Sequence, residues 1–137
     1  MPTSQHGLRF PGTLAGFEEA AGALRGLLDA QQLEDGARFN VELAFEEIAT
    51  NIVRHGSPTG DVEVTIVFDD HEIVLTFEDD GVPFDPRDRP DPPAPTSIDD
   101  VRVGGLGVFL VKKISTRLTY ERTPGRRNRL TLAIPAR

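Results

Sequence analysis

Three short stretches hold the residues able to do chemistry. Glu47, Asn51 and His55 stand four apart in a segment of helical periodicity, which stacks a carboxylate, an amide and an imidazole on one face. Asn is a poor helix-interior residue because its amide competes for backbone partners. The stripe is therefore either a solvated polar face or a ligand-facing one that offers oxygen to a hard cation. Glu78-Asp79-Asp80-Gly81-Val82-Pro83 closes an apolar, alternating segment. Acids followed by Gly often make only a turn. A buried Asp79 would instead accept a hydrogen bond from an exocyclic amine, with Gly81 letting a ligand approach the backbone closely. Gly104-Gly105-Leu106-Gly107 precedes a further apolar helix. Such a loop is either a hinge or a phosphate cradle, its N–H groups lying at the positive end of the helix dipole. It is not a GxxxxGK[ST] loop or a G-x-G-x-x-G fingerprint, since neither pattern occurs.

Periodicity predicts the helices and strands that carry these residues. Leu8-Arg9-Phe10 reads as a short strand before Pro11-Gly12. Thr13 is the expected N-cap of a first helix, with Phe17, Ala20, Ala21, Leu24, Leu27 and Leu28 at helical spacing. Gly16, Gly22 and Gly26 each weaken that helix by roughly 1 kcal/mol relative to Ala, so it depends on packing. A second helix is expected from about Ala37 to His55, with Val41, Ala44, Phe45, Ile48 and Ile52 as its apolar stripe. Val62, Val64, Ile66 and Phe68, then Ile73, Leu75 and Phe77, alternate around Asp69-Asp70 and predict a hairpin. Residues 83–95 hold six prolines and suit neither a helix nor an inner strand, so a mobile loop is expected; loops of such length are usually functional lids or linkers. A third helix carries Val108, Phe109, Val111 and Ile114. Strands at Arg117–Arg122 and Asn128–Pro135 flank a Pro124-Gly125 turn. The expected class is α+β: a mixed, mostly antiparallel sheet covered on one face by helices, in a single domain spanning 1–137.

With 137 residues, 38% hydrophobic and 27% charged, the chain can bury a core of its own. It has no cysteine, which excludes disulfides and thiolate metal sites. No long apolar run and no signal-peptide pattern appears, so a cytoplasmic, membrane-free protein is expected. The net charge of −7 is uneven. Residues 1–100 carry 21 acidic and 6 basic side chains, whereas 101–137 carry 9 basic and 1 acidic. Either the fold sets one part against the other, or the basic part faces phosphate, nucleic acid or an acidic partner. His6 and His71 have no partner pattern and are expected to be exposed.

The order of the three stretches along the chain adds what no single one supplies. Glu47-x-x-x-Asn51 on a helix, Asp79-x-Gly81-x-Pro83 after a strand, a lid, then Gly105-Leu106-Gly107 opening a helix resembles the N, G1 and G2 boxes of the GHKL, or Bergerat-fold, ATPases. More narrowly, EIATNIVRHG (Glu47–Gly56), DDGVPFDP (Asp79–Pro86) and GGLGVFL (Gly104–Leu110) resemble the stand-alone anti-sigma-factor serine-protein kinases. The resemblance runs from the Leu8 strand to the last hairpin and implies a two-layer Bergerat sandwich.

It also implies roles. Asn51 would coordinate Mg²⁺ through its amide oxygen, phosphate and water filling the remaining positions. Glu47 would act as general base, or orient the attacking hydroxyl. Asp79 would take the adenine amino group of ATP or ADP, with Gly81 giving clearance. Gly104, Gly105, Leu106 and Gly107 would hold the phosphates under a lid of about 84–103. His55 would be a supporting residue. Arg87, Arg89 or Arg102 could reach phosphate, but the proline- and aspartate-rich lid departs from anything that would assign one. The implied partners are a sigma factor and a STAS-type anti-anti-sigma factor whose serine is phosphorylated, with the chain acting as a homodimer. A nucleotide-binding module that sequesters a partner without phosphoryl transfer is the second reading. A sensor histidine kinase would need a phosphoacceptor helix pair, for which no room is expected before residue 37. Direct nucleic-acid binding would rest on Arg126-Arg127-Asn128-Arg129, which lie at a tight hairpin without interleaved aromatics.

Overall fold

The structure, a computed structural model, describes residues 3–88 and 106–137. Period-two alternation builds its sheet. Strands β1 (Ser4–Pro11), β2 (Asp61–Phe68), β3 (Glu72–Asp79), β4 (Arg117–Arg122) and β5 (Asn128–Pro135) lie in the order β1-β2-β3-β5-β4. Its four pairings are all antiparallel, so the sheet is purely rather than mostly so. One face carries Val62, Val64, Ile66, Phe68, Ile73, Leu75, Phe77, Leu130, Leu132 and Ile134, all buried. Helices α1 (Leu14–Asp29), α2 (Asp35–Asn51) and α3 (Leu106–Ile114) contribute Leu24, Leu28, Val41, Phe45, Ile48 and Val111 to the same core. Phe45 is its aromatic centre: it stacks on Phe17 at 5.8 Å and tilts against Phe10 and Phe77. Among the described residues no helix is long and apolar enough to cross a membrane.

The sheet's other face is mostly polar and ordered in rows. Thr65, Thr76, Thr131 and Thr119 stand in register across four strands. Beside them runs Arg9, Glu63, Glu78, Arg129 and Glu121, tied by Arg9–Glu63 at 2.9 Å and by Arg129 to Glu78 and Glu121 at 2.8 Å each. Arg117 pairs with Glu72 at 2.8 Å, and Arg127 lies 3.8 Å from Glu78. The basic end of the chain is thus folded against the acidic part.

Several boundaries differ from those expected. The Leu8–Phe10 strand extends over Ser4–Pro11, because it pairs along the whole of β2 and so satisfies its backbone groups. Thr13 does cap α1, its Oγ1 accepting from the Gly16 N–H at 3.0 Å. The second helix starts at Asp35, leaves α geometry after Asn51 and finishes as a π turn over Ile52–Gly56, with Ser57 left-handed (φ 48°). Within 83–88 a single 3₁₀ turn, Pro86–Asp88, forms where Asp85 accepts from the Arg87 N–H. His6 is half-buried rather than exposed, edge-on to Phe68 at 5.7 Å; His71 is exposed.

Candidate functional site

Ile73, Leu75 and Phe77 point into the core, and alternation carries the next inward position to Asp79, just where helix cover runs out. Its carboxylate is therefore buried at the core's rim, 3% exposed. Oδ1 accepts from the Gly81 N–H at 2.8 Å and from Asn128 Nδ2 at 3.1 Å. Among the described residues both bonds land on that oxygen, so Oδ2 is the one that could take a donor from a ligand. The register explains Asn128, which lies opposite Asp79 with Arg122 opposite it in turn. Asn128 Nδ2 also donates to the Val82 carbonyl at 2.9 Å. Its Oδ1 accepts from the Tyr120 hydroxyl and from Arg122 Nη1, the latter at 3.1 Å. Arg122 Nη1 donates further to the Gly81 carbonyl at 2.8 Å.

The neighbouring acids have other work. Glu78 faces the opposite side of the sheet, on Arg129. Asp80 collects the N–H groups of Thr59 and Gly60 and the Thr59 hydroxyl; these bonds hold its pKa below the ordinary aspartate range. Gly81 cannot be replaced freely, because a Cβ there would overlap the Gly56 carbonyl oxygen. The Val82 N–H donates to that same oxygen at 2.8 Å, clamping the loop to the π turn.

Asn51 and Asp79 line one cleft, with Ile48, Phe77, Phe84 and Tyr120 among its walls. Asn51 Nδ2 donates to the Glu47 carbonyl at 2.8 Å, so its amide oxygen is the end left for a cation. Among the described residues no group of three His, Cys, Asp or Glu side chains forms a metal cage. A single amide ligand suits Mg²⁺, which keeps water and phosphate in its shell. Glu47 is half-buried at the start of α3, and a Cβ on Gly107 would overlap its carboxylate. Burial, then the nearby Glu46 charge, push the Glu47 pKa above the ordinary glutamate range; Arg54 opposes both.

The structure thus brings together Glu47, Asn51, Asp79, Gly81 and Gly107, and starts α3 at Leu106. His55, within the π turn, is exposed and stacks on Phe84 at 5.7 Å. Arg87 pairs with Asp85 at 2.7 Å. Gly104, Gly105, Arg89 and Arg102 lie outside the described residues. Asn128, Tyr120 and Arg122 were not singled out from the sequence as site residues. The available signal was a polar Asn128 in phase with Leu130, Leu132 and Ile134 on an inward face.

Known proteins resemble this chain in sequence and in fold. The chain is 34% identical over 98 residues to serine/threonine-protein kinase BtrW of Bordetella bronchiseptica, covering 69% of this chain and 68% of that one. In fold it resembles the SiaB–SiaC complex structure from Pseudomonas aeruginosa (TM-score 0.60, 18% identity, 95% of this chain and 89% of that one). It also resembles the RsbU and RsbW domains of Rv1364c from Mycobacterium tuberculosis (TM-score 0.65, 15% identity, 99% of this chain), spanning only 34% of that longer chain. Residues 10–134 match the histidine kinase-like ATPase domain, and the chain belongs to that family.

Proposed function

We propose that this chain is a Mg-ATP-dependent serine-protein kinase that also serves as an anti-sigma factor, phosphorylating a STAS-type anti-anti-sigma protein. The observation that carries the reading is the cleft joining buried Asp79 to Asn51 on α2, with Glu47 one turn away against Gly107. Family membership supports ATP as the ligand. The likeness to a named serine/threonine-protein kinase supports the transfer.

In this reading Asp79 accepts the adenine amino proton on Oδ2 while Gly81 and Asn128 fix its other oxygen. Asn51 offers its amide oxygen to Mg²⁺, which neutralises phosphate charge when bound. N–H groups of Gly104, Gly105, Leu106 and Gly107 hold phosphate at the α3 N-terminus. Glu47 takes the proton of the attacking serine hydroxyl. The cleft as it stands offers about 10 Å³, roughly one water. Phe84 and Pro86, at the base of a lid over about 84–103, must therefore move outward before a base can enter. The whole chain acts as one domain, in the cytoplasm and as a homodimer.

Incubation with γ-labelled ATP and a STAS-type substrate tests the reading. Label should appear on a substrate serine with the wild-type chain and vanish with Glu47→Ala, which still binds nucleotide. Bound nucleotide without transfer by the wild type would leave a nucleotide-dependent sequestering module in place of a kinase.

A further inference from the structure

A groove of about 590 Å³ runs between α1 and α2 on the helical layer, away from the Asp79 cleft. That size falls in the range of pockets built for ligands, roughly 300–1,000 Å³. Its floor is apolar, from Phe17, Ala21, Leu24, Leu43 and Phe45. Phe39 stands at its side, 64% exposed. The core stripe of α2 is Val41, Ala44, Phe45 and Ile48, so packing does not require an aromatic ring at 39. Phe39 and Leu43 instead make a second stripe at i, i+4, bordered by Glu42 and Glu46. Glu18 on α1 completes three carboxylates at the rim, against one arginine, Arg25.

An apolar trough between two helices with an acidic rim specifies its occupant. A helix laid in it would place anchors at i, i+3 or i+4 and i+7 against Phe17, Phe39 and Leu43, and cations against the glutamates. A second copy fits poorly, because two such rims would face each other with six glutamates and two arginines. We propose that the α1/α2 groove is the docking site for an amphipathic helix of a partner protein, with lysine or arginine flanking its apolar stripe. This surface goes beyond the nucleotide reading and does not depend on it, although the helix that forms one wall also carries Glu47 and Asn51.

The test uses the full chain without nucleotide, so that failure here is distinct from failure of the kinase reading. Two labelled peptides of about 18 residues, long enough to be helical when bound, share one leucine stripe and differ in flanking lysines or glutamates. Fluorescence anisotropy should show binding of the lysine peptide alone, with amide chemical-shift changes confined to α1 and α2. Phe39→Ala and Glu42→Lys, both at solvent-accessible positions and checked as folded by circular dichroism, should each weaken it about tenfold or more. Equal binding of the two peptides, no binding of either, or unchanged affinity in both variants would overturn the proposal. So would sedimentation as a dimer that Phe39→Ala dissociates, since a second copy would then cover the groove.

Discussion

Glu47 and Asp79 are both carboxylates at the edge of the core, yet their surroundings fit them for opposite tasks. Asp79 is held by hydrogen bonds from Gly81 and Asn128, so it is fixed as an acceptor. Glu47 is partly desolvated and beside Glu46, and its pKa is raised. A base must be ionised, so the rate of transfer should fall on the acid side at a pH above that of an ordinary glutamate. Glu46→Gln removes a raising charge and should move that limb to lower pH in a pH–rate profile; an unmoved limb would take the base role from Glu47. The stability term has the matching sign. The folded chain holds this proton more tightly than the unfolded one, so Glu47 favours folding below its unfolded pKa, and that contribution is lost as pH rises through the folded one. Asn128 is the second residue to test. Asn128→Ala strips a donor from Asp79 and leaves the Tyr120 hydroxyl without this acceptor, which should cost about 1–3 kcal/mol of stability. Denaturant unfolding measures the loss, and nucleotide titration should show affinity falling about tenfold.

At the scale of elements, the site depends on three junctions, and they were unequally legible. The helix carrying Glu47 and Asn51, the strand ending at Asp79 and the helix starting at Leu106 all followed from periodicity and glycine placement. The π turn at Ile52–Gly56 did not, because local pattern cannot show that a helix will widen where its last carbonyl is needed by another loop. Gly56 supplies that carbonyl to the Val82 N–H, directly over Gly81. Gly81→Ala should therefore lower the melting temperature by several degrees, since the methyl meets backbone rather than a side chain that can turn away. Likewise, strand registry set Asn128 and Arg122 beside Asp79, and registry is a long-range property. The stretch from Phe84 to Asp88 is another junction. Phe84 lies in the cleft wall and stacks on His55, while Lys112 Nζ donates to the Arg87 carbonyl at 3.2 Å. Phe84→Ala opens the cleft and should speed nucleotide association in stopped-flow mixing; a slower or unchanged rate would show that Phe84 is not the obstruction.

Across the whole molecule, folding sets part of the basic segment against acidic residues. Arg117, Arg127 and Arg129 are set against Glu72, Glu63, Glu78 and Glu121 on one sheet face. Helices cover the other face, whose end opens into the Asp79 cleft, so one layer builds both the core and the site. The proposed function requires this cleft to bind adenine nucleotide through Asp79 and, with Mg²⁺, through Asn51. Titration calorimetry of ATP into the wild-type chain, Asp79→Ala and Asn51→Ala, each with Mg²⁺ and with chelator, tests it most directly. The expected result is binding by the wild type that Mg²⁺ strengthens, no measurable binding by Asp79→Ala, and loss of the Mg²⁺-dependent gain in Asn51→Ala. Wild-type affinity retained by a folded Asp79→Ala chain would contradict it.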